Sequence, residues 1–108
     1  MTATSLDAMT INGIVQERRL VTEVPGPASQ ALQQRKTQAV SAGVGVGLPV
    51  YITKAGGGVL VDVDGNQFID MGSGIAVTTV GNANPEVARR VQEQVADVTH
   101  TCFMVTPY

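Results

Sequence analysis

The stretch from Val59 to Met71, VLVDVDGNQFIDM, limits the possible folds most. Two short apolar runs, VLVDV and QFIDM, flank Asp64-Gly65-Asn66. An Asp-Gly pair between such runs signals a β-hairpin, because glycine accepts the positive φ that a tight turn demands. In the second run Phe68 lies on one face and Ile69 and Met71 on the other, so both faces carry apolar groups. A sheet that is apolar on both sides needs cover on both, which implies more protein against it than this chain contains.

Helices are signalled on either side of the hairpin. Pro27 suits a first helical turn, where its missing N–H costs nothing, and ASQALQQRKTQAV supplies good helix formers, predicting a helix over 28–41. Asn84-Pro85 opens a second helix over about 85–98, with Asn84 as the N-cap acceptor. Val87, Val91, Val95 and Val98 make one apolar stripe, while Glu86 with Arg90 and Arg89 with Glu93 pair opposite charges four apart on the solvated side. The Gly/Val alternation of GVGVGLP, residues 43–49, predicts an extended and pliable connector. Residues 1–24 show no steady period and are expected to form a loosely ordered lead.

Composition narrows the function classes. A chain of 108 residues suits one small domain, and its seven Lys plus Arg against nine Asp plus Glu leave no basic footprint for nucleic acid. One cysteine cannot form an internal disulfide, which fits a reducing, cytoplasmic setting. No basic start with an apolar core opens the chain, and no apolar run is long enough to span a bilayer, so a membrane is not an expected partner. Only four aromatic residues are present, and the ending HTCFMVTPY is apolar to its last positions. Both features mark the chain as the front part of something longer.

Several patterns invite chemical readings. In GVGVGLPV the third glycine of a dinucleotide-binding GxGxxG is replaced by Leu48 or Val50, depending on register, and no GxxxxGK occurs. Asp62, Asp64 and Asn66 alternate as in a calcium loop, but loop positions six and twelve would be Gln67 and Ser73, which favours a turn whose Asp and Asn cap backbone groups. His100 and Cys102 stand two apart with no second His or Cys, so one copy of the chain cannot build a structural zinc site. A helix-end His and a buried Cys are the favoured readings. Lys36 and Lys54 are the only lysines, and Lys54, beside glycines, reads as exposed near a turn. GSGIAV, residues 72–77, has the small and apolar composition of a pocket wall.

From Asp62 to Gln94, DVDGNQFIDMGSGIAVTTVGNANPEVARRVQEQ resembles the N-terminal signature of the class III, pyridoxal-phosphate-dependent aminotransferases. That family carries a D-x-(D/E)-G-x-x-(Y/F)-(L/I)-D hairpin, then GIAV, then a G-H-x-x-P turn into a helix. The match runs through Asp62, Asp64, Gly65, Phe68, Ile69, Asp70, Gly74 to Val77, Gly81 and Pro85. The early QRKTQAVSAGVGVGLPVYITKAGGGVLVDVDG and the ending HTCFMVTPY are similar to the 4-aminobutyrate branch, so the resemblance covers roughly residues 25–108. Two positions depart from it: Asn82 replaces the usual His, and Met104 stands where several bacterial members carry Gln.

The resemblance implies an α/β architecture, with residues 25–108 as the N-terminal part of the small domain of a fold-type I transferase, continuing beyond the chain end. It places Gly74, Ile75 and Met104 at the substrate, with Ile75 on the aliphatic part of an ω-amino acid. It assigns no catalytic or cofactor-binding residue here, since the Schiff-base lysine and the phosphate-binding loop come from later chain. Pyridoxal 5'-phosphate would be held by the complete enzyme and not by this chain alone, which would be inactive. The implied reaction moves the amino group of 4-aminobutyrate to 2-oxoglutarate in a homodimer or higher homo-oligomer. The alternatives are a class III enzyme for ornithine, acetylornithine or another ω-amine, and a non-catalytic binding or dimerization module.

Overall fold

The computed structural model describes residues 9–108. The expected hairpin forms from β4 (Val59–Asp62) and β5 (Gln67–Ile69), antiparallel, with Val59 opposite Ile69, Leu60 opposite Phe68 and Val61 opposite Gln67. Gly65 takes φ +89° in the turn, where a side chain would be strained. A third strand, β3 (Ile52–Gly56), pairs antiparallel with β4 and makes the sheet order β3-β4-β5. The sequence ITKAG lacks alternation, and its pairing slips between Ile52 and Lys54, so nothing local announces it as a strand.

Helix α1 spans Pro27–Ala39, ending two residues before the expected 41 because Val40 already adopts extended φ and ψ. The last helix, α3 (Pro85–Asp97), begins at Asn84, whose Oδ1 accepts from the N–H groups of Glu86 (3.0 Å) and Val87 (3.2 Å). Both expected ion pairs form on its surface, and Arg89 also reaches Glu86. Between sheet and α3 lies a short helical turn, α2 (Ser73–Ala76).

The reading of residues 1–24 as a loose lead is corrected for residues 9–24; residues 1–8 lie outside the described ones. Strands β1 (Thr10–Ile11) and β2 (Ile14–Val15) form an antiparallel ribbon around Asn12 and Gly13. Beyond it, Arg19 and Gln67 exchange both backbone hydrogen bonds, at 3.1 and 2.7 Å. Order here comes from polar side chains more than 40 residues away, which leave no periodic trace in the segment itself.

Large apolar side chains buried among the described residues are Ile14 and Val59, whereas Ser29, Asp62, Asn66 and Gln67 are buried polar ones. The radius of gyration is 18.4 Å, against about 13 Å for a compact domain of this length. The valine stripe of α3 is uncovered, with Val87, Val91 and Val95 each half-exposed or more, and Ile69 and Met71 are exposed as well. Polar bonds within one open layer, and not a shared apolar core, therefore hold these elements together. Among the described residues, no helix is long and apolar enough to cross a membrane.

Candidate functional site

The acidic turn at Asp62 to Gln67 is a clasp built from buried polar groups. Asp62 Oδ1 accepts from the N–H groups of Asp64 (2.9 Å) and Asn66 (2.8 Å), closing the turn from inside. Asn66 Oδ1 then accepts from the N–H groups of Val21 (2.8 Å) and Thr22 (3.0 Å), while its Nδ2 donates to Asp62 Oδ2 and Thr22 Oγ1. Gln67 Nε2 donates to the carbonyls of Val15 and Glu17. Every polar atom of the cluster is satisfied, which is what makes its burial tolerable. The capping reading of this motif holds, and no group of three or more metal-ligating side chains occurs among the described residues.

Asp64 reaches further and caps a helix it does not belong to. Its two oxygens accept from Ala28 N–H (2.7 Å) and Ser29 N–H (3.0 Å) at the start of α1, where Gly26 supplies no side-chain cap. A Cβ at Gly26 would overlap the Asp64 carboxyl, so glycine is the residue that lets the carboxylate in. Burial pushes the Asp64 carboxyl up, but the N–H groups of Ser29 and Ala28 and the Ser29 hydroxyl outweigh it and hold the group below its ordinary value.

The residues expected at the substrate lie beyond this clasp. Gly74 and Ile75 share the α2 turn, which is left-handed: φ is 53° at Ser73, 63° at Gly74, 61° at Ile75 and 59° at Ala76. For residues with a Cβ that geometry costs about 1–2 kcal/mol each. The turn closes through Val77 N–H to the Ser73 carbonyl (2.7 Å) and Ile75 N–H to the Gly72 carbonyl (2.9 Å). Ile75 points outward, 93% exposed. Met104, equally exposed, sits in a separate turn where the N–H groups of Val105 and Thr106 bond the Cys102 carbonyl, and no hydrogen bond joins the two turns among the described residues. An apolar groove of about 500 Å³, lined by Leu48, Leu60, Phe68 and Met71 among others, holds none of the three.

Other candidates are placed outside any site. Cys102 is exposed, not buried as its residue type suggests. Lys54 lies exposed on β3, and Lys36 Nζ donates to the Val44 carbonyl at the end of α1. Gly45 and Gly47 face open space. Asn82 does shape a turn. It exchanges both backbone hydrogen bonds with Gly57 at 2.8 Å, and its Nδ2 lies 3.4 Å from Asp70 Oδ2. Sequence reasoning left Asp70 as a matched position without a role, although its place before Gly72-Ser73 is that of a local cap.

The family model for aminotransferase class-III matches residues 40–108. A 4-aminobutyrate aminotransferase of Mycobacterium tuberculosis is 68% identical over 93 residues, covering 86% of this chain and 21% of that protein. A 4-aminobutyrate aminotransferase of Mycobacterium leprae is 59% identical over 98 residues, covering 91% of this chain and 22% of that one. The chain thus spans about a fifth of the length of the curated relatives it matches. In fold it is similar to an acetylornithine aminotransferase from Elizabethkingia anophelis, with TM-score 0.63 at 20% identity over 68% of this chain and 19% of that one.

Proposed function

Because the chain belongs to the class-III aminotransferases, we propose that it is the N-terminal portion of an enzyme that moves the amino group of 4-aminobutyrate to 2-oxoglutarate, giving succinate semialdehyde and glutamate. The observation that carries this reading is the 68% identity to a 4-aminobutyrate aminotransferase across most of the chain. The α2 turn serves as a wall for the aliphatic part of the donor: Ile75 supplies apolar contact, and Gly74 keeps the backbone open to close approach. Met104 lies at the same substrate, from its own turn. The intact protein works in the cytoplasm as a homodimer or higher homo-oligomer.

Transamination needs an electron sink, which pyridoxal 5'-phosphate supplies in this family. The residues described here do not fit that cofactor. Neither lysine is buried, which supports reading the reacting groups as coming from elsewhere in the intact protein; on this reading the 108-residue chain is inactive alone. The test is a donor panel on the intact protein, following glutamate formed from 2-oxoglutarate. Efficient turnover with 4-aminobutyrate, well above ornithine and acetylornithine, is expected; no turnover with 4-aminobutyrate overturns the assignment.

A further inference from the structure

We infer that Asp70 is a positioning residue that holds the α2 turn in its left-handed form and so presents Ile75 to the amino donor, an inference that rests on the donor-wall reading of Ile75. Three of the four residues in the turn carry a Cβ at positive φ, a run that persists only when something outside it fixes the backbone. Side-chain burial within this chain does not fix it, since Ile75 and Val77 are both largely exposed. Hydrogen bonding does. Asp70 Oδ1 accepts from the N–H groups of Gly72 (3.1 Å) and Ser73 (2.8 Å), the two that lead into the turn. Inside it, the hydroxyls of Ser73 and Thr78 meet at 2.6 Å.

Asp70 is itself held by the sheet. Its N–H donates to the Gly58 carbonyl at 2.9 Å, extending the line of β5, and its Oδ2 faces Asn82, whose backbone is paired twice with Gly57. A continuous series of bonds therefore runs from the β3-β4 turn through Asp70 into α2. Ile75 is placed by that series and by its own N–H bond to the Gly72 carbonyl, with its side chain exposed.

The experiment uses the intact protein and combines residue-level amide exchange with donor kinetics. In the wild type, Gly72 and Ser73 amides are expected to exchange slowly despite the openness of the segment; unprotected exchange at both overturns the inference even if no variant folds. Asp70→Ala is expected to speed their exchange about tenfold and to raise KM for 4-aminobutyrate with kcat less affected, while Asp70→Asn, which keeps an acceptor oxygen, stays close to wild type in both. Fast exchange in Asp70→Ala with an unchanged KM overturns it, as does an Asp70→Asn variant as damaged as Asp70→Ala. Ile75→Ala separates the two levels. If it raises the donor KM and Asp70→Ala does not, positioning by Asp70 fails and the wall stands; if neither raises it, the wall reading itself fails.

Discussion

Ala76 has φ 59° with no interaction beyond the turn to reward it, which makes it the cleanest probe of the backbone there. Ala76→Gly removes the Cβ clash of the left-handed conformation and is expected to stabilise the intact protein by about 1 kcal/mol, read as a raised midpoint in denaturant. If the residue were right-handed, the same change would destabilise by about 0.5–1 kcal/mol, so the sign alone decides. Asp64 gives a second residue-level expectation. Its folded pKa lies below the ordinary 3.8, so its contribution is complete above that value and is lost as pH falls through the lowered folded one. The stability difference between wild type and Asp64→Ala should therefore shrink on acidification below about pH 4, and a difference that grows there contradicts the capping role.

The helix at Pro85–Asp97 rests on a cap and a stripe, and these have unequal weight. Asn84→Ala should cost about 1 kcal/mol, visible as lost helicity and a lower melting midpoint, because two N–H groups lose their acceptor. Neutralising Arg89 should change stability by less than that, since its partners are exposed and surface pairs contribute little. The hairpin, the two helix starts at Pro27 and Pro85, and the local closure of the acidic turn by Asp62 were legible in the sequence, because each shows in residues within a few positions of one another; the reach of Asp64 to α1 and of Asn66 to Val21 and Thr22 was not. Strand β3 and the ribbon at 10–15 were not, since Gln16 bonds Gly56 and Gln67 bonds Val15 across 40 and 52 residues. The small and apolar composition of GSGIAV was readable. Its handedness was not, because that depends on the Asp70 cap and on three non-glycine residues adopting a conformation that their types disfavour.

At the scale of the molecule, the described residues form an open layer measuring 62 × 49 × 23 Å, with apolar faces on α3 and on the sheet left uncovered. Marginal stability demands more burial than two large apolar side chains provide, so the 108-residue chain alone should unfold gradually, without a sharp cooperative transition. Ile75 is 93% exposed, and neither lysine is buried. The most direct measurement supplies pyridoxal 5'-phosphate, 4-aminobutyrate and 2-oxoglutarate to the 108-residue chain and to the intact protein at equal concentration, and follows glutamate. The account predicts turnover by the intact protein and none by the chain; turnover by the chain alone, or none with 4-aminobutyrate in the intact protein, contradicts it.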